Sequence, residues 1–174
     1  GGRERRRRSA TSCGVSDVYL ALGSNQQPAA NIRAALRRLQ ARYRLCRVSP
    51  IYETLPWGYT PQPMFLNCVA HLRTTDSPLD VLRHGQRIEG ELQRRRTVRN
   101  GPRTIDVDVL MHGGAVLDTP ALTLPHPGLT ERDFMLLPLL DLARTARHPG
   151  TARPLAEARD SPRYRCIVAR WRNG

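Results

Sequence analysis

Between residues 18 and 111, short strand-like apolar runs and helix-spaced apolar runs follow one another as strand, helix, strand, strand, helix, strand. Residues 18–22, "VYLAL", form the first run and end in the turn signal "GSN". Residues 31–39 then carry Ile32, Ala35, Leu36 and Leu39 at helical spacing, with arginines opposite. Residues 45–54, "LCRVSPIYET", read as a strand in which Pro50 marks a bulge or an edge. The Pro- and Gly-rich "LPWGYTPQP" is an irregular loop, and residues 65–73, "FLNCVAHLR", are the next strand. Ser77 and Pro78 open the second helix as N-cap and first-turn proline, followed by Leu79, Leu82, Gln86, Ile88 and Leu92. Residues 105–111 form the last strand, read as central. This order predicts an α+β fold: a ferredoxin-like βαββαβ sandwich, its antiparallel sheet carrying both helices on one face. The other face is left free for a site. Beyond the core come a short hairpin, an added helix around residues 136–142 and a polar C-terminal extension.

The last strand carries the chemistry. In "GPRTIDVDVL", Asp106 and Asp108 alternate with Ile105, Val107 and Val109, so both carboxylates leave one face, roughly 7 Å apart at strand rise. Like charges on one strand face are unfavourable unless something offsets them. One reading is a solvated acidic face beside basic neighbours. The other is a hard-oxygen site for Mg²⁺, completed by water and phosphate. Arg94, Arg95, Arg96, Arg99 and Arg103 immediately precede the pair. Guanidinium groups together with a metal ion are the usual means of neutralising a transferring phosphoryl group.

Charge supports an anionic ligand. The net charge is +13, and all 28 basic residues are arginine. Residues 1–16 contribute +4 through five arginines and one glutamate, and read as a disordered basic tail or linker ahead of a single domain over residues 17–174. There is no GxxxxGK[ST] loop and no protein-kinase signature set, so nucleotide binding rests on the arginine loop and a metal. The four cysteines form no CxxC pair, which argues against zinc, and Cys46 and Cys68 read as reduced core residues of a cytoplasmic protein. No apolar run reaches the roughly 20 residues a membrane span needs. The chain starts at Gly1 rather than Met, as a processed, tagged or excised chain would.

The segments "VYLALGSN", "SPIYET", "FLNCVAHL", "QRIE", "GPRTIDVDVLMHG", "LTLPHP" and "RDFMLLPLLDLA" resemble, in order and spacing, the 6-hydroxymethyl-7,8-dihydropterin pyrophosphokinases of folate biosynthesis, over residues 18–149. The resemblance implies transfer of pyrophosphate from ATP to the pterin hydroxymethyl oxygen, with release of AMP. It implies two Mg²⁺ ions held by Asp106 and Asp108, and catalytic roles for these aspartates with Arg94 and the mobile-loop Arg99. ATP-side positions are Gln86, Glu89, Arg94, Arg103, His126 and Arg132. Pterin-side positions are Thr54, Leu55, Trp57, Phe65, Asn67 and Phe134, with the two phenylalanines flanking the ring and Asn67 reading its polar edge. The sequence departs from the family pattern at Asn100, where tryptophan is frequent, at Leu55, where proline is frequent, and in a shorter arginine loop that leaves Arg96 unmatched. A monomer is expected; in some organisms an enzyme of this family is fused to the preceding pathway enzyme, an aldolase.

Two rivals share the features above. An RNA-recognition module uses the same element order, but it would carry aromatics on its central strand. Here that strand carries aspartates, which repel a phosphate backbone unless a metal intervenes. The second rival is a nucleotide-binding regulator without catalysis. Neither a nucleic-acid partner nor a membrane is expected.

Overall fold

A computed structural model describes residues 14–95 and 98–172. The elements run β1 (Ser16–Ser24), α1 (Pro28–Arg42), β2 (Arg44–Val48), β3 (Tyr52–Thr54), β4 (Phe65–Thr74), α2 (Pro78–Glu91), β5 (Asp106–His112), β6 (Leu117–Asp118), β7 (Thr123–Leu124), α3 (Asp133–Leu142), a 3₁₀ turn (Leu155–Ala158) and β8 (Ile167–Arg170). The main sheet is antiparallel, in the order β5-β1-β4-β3-β8, with β2 also paired to β4. The βαββαβ order expected from the sequence is therefore present, and β6 and β7 make the expected hairpin.

Pro50 explains why one expected strand is two. β2 pairs with the far half of β4 and β3 with its near half. At the break Ser49 takes over: its backbone N–H donates to the Val69 carbonyl, and its hydroxyl accepts the Val69 N–H at 2.9 Å. No buried β4 donor is left unpaired there, as a buried backbone group requires.

Both helices lie on one face. Ile32, Ala35 and Leu39 of α1 and Val81 and Ile88 of α2 bury against Val18, Leu20 and Leu22 of β1, Cys68, Ala70 and Leu72 of β4, and Val107 and Val109 of β5. Fully burying each large aliphatic side chain contributes about 1.5–3 kcal/mol. Pro28 opens α1 four residues ahead of Ile32, its first buried residue, and the Ser77 side chain accepts the Asp80 N–H at the start of α2. The inward stripe of α2 is Val81, Gly85, Ile88 and Glu89; Leu79 and Gln86 face outward. Gly85 admits the close approach to β5, since a Cβ there would sit 3.0 Å from a Val107 methyl.

Several expectations are corrected. β5 is an edge strand, not a central one. The second face is only partly free, because α3 and the 3₁₀ turn cover Ala21, Val69, Leu110 and Met111 with Met135, Leu136, Leu139, Leu140 and Leu155. The C-terminal extension is part of the sheet: β8 pairs with β3, and the Trp171 N–H donates to the Ile51 carbonyl. β1 begins at Ser16, inside the stretch expected to be tail; the rest of that tail up to residue 13 lies outside the described residues, as does Arg96. Cys68 is a core residue, whereas Cys46, on the exposed edge strand β2, is only half-buried. No helix among the described residues is long and apolar enough to cross a membrane.

Candidate active site

The part of the sheet that α3 leaves open floors a cleft of about 370 Å³. One cross-strand row supplies the floor: Asp106 on β5 lies opposite Gly23 on β1, Gly23 opposite Asn67 on β4, and Asn67 opposite Tyr52 on β3. Directly paired residues share a face, so Asp106 and Asn67 point the same way with Gly23 between them. Gly23 is fixed by sterics: a Cβ would come within 2.6 Å of the Asn67 side-chain oxygen. The next row holds Asp108 opposite Ala21. Both aspartates line the cleft, as their alternation on the strand requires.

Charge fills one end. Asp106 accepts from Arg94 on one carboxylate oxygen and from Arg103 on the other, each at 2.7 Å. Arg94 donates from the same nitrogen to Glu89, also at 2.7 Å, and Glu89 accepts the Val107 N–H at 2.9 Å. These arginines are nearly buried, with side-chain exposures of 11% and 14%. Such pairs act mainly to fix geometry, because desolvation offsets much of their attraction. Asp108 makes no such pair with any described residue. Burial, then the neighbouring Asp106 and Glu89 charges, push its carboxyl up to about 7. Burial also raises Glu89, ahead of its carboxylate neighbour Asp106. Arg99 lines the cleft, is exposed, and makes no ion pair with any described residue.

His126 is held in one tautomer. Its Nδ1 accepts the Gly128 N–H at 2.9 Å, which leaves any ring proton on Nε2. Burial and the Arg132 charge pull its pKa down to about 4, so it faces the cleft as a neutral ring. Arg132 lies between Gly128 and Trp57. Its guanidinium carbon is 3.9 Å from the Trp57 ring centre, a close cation–π contact, and its buried Nε has no hydrogen-bond partner among the described residues. A Cβ on Gly128 would meet that Nε at 2.7 Å.

Flat and polar surfaces fill the other end. Thr54, Leu55, Trp57, Phe65, Asn67 and Phe134 all line it. Asn67 donates to the Thr54 hydroxyl at 2.7 Å, which leaves its amide oxygen over Gly23 and one N–H uncommitted. Phe65 is nearly buried and carries the Arg103 guanidinium 5.2 Å from its ring centre.

Two residues expected on the ATP side do not line the cleft. Glu89 stands behind it, holding Arg94. Gln86 is exposed on the outer face of α2. Conversely, the sequence reading missed the residues that hold the walls. Asn25 accepts the Arg103 N–H at 2.9 Å and donates to Gln62 at 2.8 Å, and Gln62 donates to the Asn100 carbonyl at 2.6 Å. The loop over residues 55–64 and the arginine loop are thus joined through Gln62. Asn100 adopts a left-handed backbone (φ 57°) with its side chain against Gly58. The "GSN" turn was a visible signal for Asn25; nothing marked Gln62.

Residues 19–144 match the family model described as 7,8-dihydro-6-hydroxymethylpterin-pyrophosphokinase (HPPK). The chain belongs to this family. It is 46% identical over 138 residues to the 2-amino-4-hydroxy-6-hydroxymethyldihydropteridine pyrophosphokinase of Pseudomonas aeruginosa, covering 78% of this chain and 85% of that protein. It is 44% identical over 146 residues to the folic acid synthesis protein fol1 of Schizosaccharomyces pombe, covering 82% of this chain. The chain spans about a fifth of that protein and of its Dictyostelium discoideum counterpart (20% and 21%). Among solved structures, wild-type Plasmodium falciparum HPPK-DHPS with pteroate aligns with a TM-score of 0.68 at 15% identity, over 84% of this chain and 42% of that one. That likeness supports the HPPK fold. Membership makes ATP the co-substrate class and pyrophosphoryl transfer the chemistry of the family to which the cleft belongs.

Proposed function

We propose that this chain transfers the pyrophosphoryl group of ATP to the hydroxymethyl oxygen of 6-hydroxymethyl-7,8-dihydropterin. The observation that carries this reading is the division of one cleft. Asp106, Asp108 and four arginines occupy one end, while Asn67, Thr54 and two phenylalanines occupy the other. The floor row sets the two ends a few strand spacings apart, so a phosphate chain and a heterocycle can lie along it. In the reaction, the pterin oxygen bonds to the β-phosphorus, the bond from that phosphorus to the α,β-bridging oxygen breaks, AMP departs with the bridging oxygen, and the alcohol proton is released.

The aspartate pair fits Mg²⁺ that arrives with phosphate. Two carboxylates cannot complete a shell, and no cluster of three or more His, Cys, Asp or Glu ligands exists among the described residues, so phosphate oxygens and water would supply the rest. We assign Asp106 and Asp108 to two such ions, which when bound would neutralise charge on the β- and γ-phosphates. Arg94 and Arg103 hold Asp106 in place. Arg99, exposed and without an ion pair among the described residues, and Arg132, whose Nε has no hydrogen-bond partner among them, are available to phosphate oxygens. Neutral His126 can donate from Nε2 but is a weak base. Thr54, Leu55, Trp57, Phe65, Asn67 and Phe134 are assigned to the pterin. Gln86, on the outer face of α2, is assigned to ATP only through the family pattern.

In this proposal the domain of residues 17–174 works as a cytoplasmic monomer. Its occurrence within a longer folate enzyme, such as a fusion to an aldolase, is compatible with the fifth of fol1 that it spans. The test is AMP release from ATP, with Mg²⁺ and 6-hydroxymethyl-7,8-dihydropterin. AMP in proportion to pterin consumed is expected. ADP in its place would sink the reading in favour of single-phosphoryl transfer or hydrolysis, and no turnover at saturating Mg-ATP would sink it in favour of a nucleotide-binding regulator.

A further inference from the structure

The C-terminal segment over residues 164–167 lies beyond the family match and touches both walls of the pterin end. On one side, the Leu55 N–H donates to the Cys166 carbonyl at 2.8 Å. On the other, Asp133 opens α3 immediately before Phe134. The residue is 4% exposed. Its carboxylate accepts two backbone N–H groups: Cys166, shared between both oxygens at 3.0 and 2.9 Å, and Ile167 on one, at 3.0 Å. The exchange is reciprocal, since the Asp133 N–H donates to the Tyr164 carbonyl at 3.0 Å and the Tyr164 N–H to the Glu131 carbonyl at 2.8 Å. The Tyr164 ring stands edge-on to Trp57 at 5.5 Å, and Trp57 in turn covers Arg132.

A buried carboxylate is costly unless its oxygens are met, and here backbone donors from a remote segment meet them. Cys166 is therefore fixed to α3 through its N–H and to the 55–64 loop through its carbonyl. The peptide units at Cys166 span the gap between Leu55 and Phe134, alongside the stacking of Arg132 on Trp57. We propose that Asp133 and residues 164–167 form a brace that sets the separation of the walls receiving the flat ring, with Asp133 as a positioning residue for pterin affinity. This inference rests on the proposed function, which identifies the ring as a pterin; the brace itself rests on the hydrogen bonds.

Asp133→Asn tests it. The amide keeps one acceptor oxygen and turns a donor toward the N–H groups, so the brace loosens while α3 keeps its apolar packing. The expected result is a rise of about tenfold in Kd and KM for 6-hydroxymethyl-7,8-dihydropterin, of the size that losing a hydrogen bond to a charged group produces. KM for ATP should change less than about twofold, because the Asp106–Arg94–Arg103 network does not involve the brace. Asp133→Glu should recover part of the loss. Tyr164→Ala, which leaves the backbone bonds intact, should raise pterin KM about threefold and loosen Trp57, read as lower fluorescence anisotropy. A lowered Tm with unchanged pterin affinity in Asp133→Asn would overturn the brace and leave a purely structural carboxylate. Equal rises in the KM of both substrates would also overturn it. If Asp133→Asn does not fold, unchanged pterin affinity in Tyr164→Ala overturns the proposal. Failure of the unaltered protein to bind pterin would overturn the proposed function itself, and the brace's ligand with it.

Discussion

The two ends of the cleft are built by different means. At the pterin end, Asn67, Thr54 and Phe65 sit on β3 and β4, and their spacing follows from strand register. At the phosphate end, Arg94, Arg99 and Arg103 come from a loop, and two of them are aimed by ion pairs to Asp106 and Glu89. A flat neutral ring needs a slot of fixed width. A phosphate chain needs charge that can follow it, and long arginine side chains on a loop supply that. Rigidity and reach are thus divided along one floor row, with Gly23 at the boundary.

The contrast is open to attack at several points, the most severe at Asp108. Asp108→Asn should lower turnover by about a thousandfold, the scale of losing a charge-stabilising group. The same change should stabilise the ligand-free fold. The carboxyl is raised from 3.8 to about 7 in the native state, so between those values the native protein binds more protons than the unfolded chain, and its stability falls as pH rises. Above about pH 7 the full cost of the charge is present, and the amide removes it. Melting curves at pH 8 and pH 4 should show the variant gaining at the higher pH and little at the lower; a loss of Tm at pH 8 would contradict the electrostatic account.

At the boundary, Gly23→Ala should weaken pterin binding by about tenfold or more, because the new methyl forces Asn67 off Thr54. Titration with pterin alone reads this, and wild-type affinity would mean that Asn67 has room to move. Gln62→Ala removes the link between the two loops, and KM for both substrates should rise together by about three- to tenfold. A change confined to one substrate would show that the two ends are independent. The smallest effect is expected at Gln86. On the outer face of α2, its replacement by Ala should alter KM for ATP less than about twofold. A large effect there would mean that the nucleotide wraps over the helix.

Local periodicity made much of this legible. The alternation of Ile105, Val107 and Val109 with Asp106 and Asp108 gave the direction of both carboxylates, whereas Pro50 was read as a bulge or edge within one strand and in fact separates β2 from β3. Hydrogen bonds between distant segments were not legible. Nothing in "IVAR" says that it pairs with β3, because an exposed four-residue edge strand has no buried stripe to reveal it. Gln62 and Asp133 have the composition of ordinary loop and cap residues; their importance lies in partners 38 and 33 positions away. The outward position of Gln86 was missed because the helix buries Gly85 and Glu89, which weakens any reading of its inner face by hydrophobicity alone.

The break at Ser49 and Pro50 has a consequence for how these molecules meet one another. An uninterrupted strand along β4 would present a long row of free donors and acceptors to any neighbour. Instead the row is cut into pieces of five and three residues, and β8 covers the shorter one. A second molecule finds only the five-residue row of β2 rather than one continuous ladder, so sheet growth between copies is discouraged at that edge.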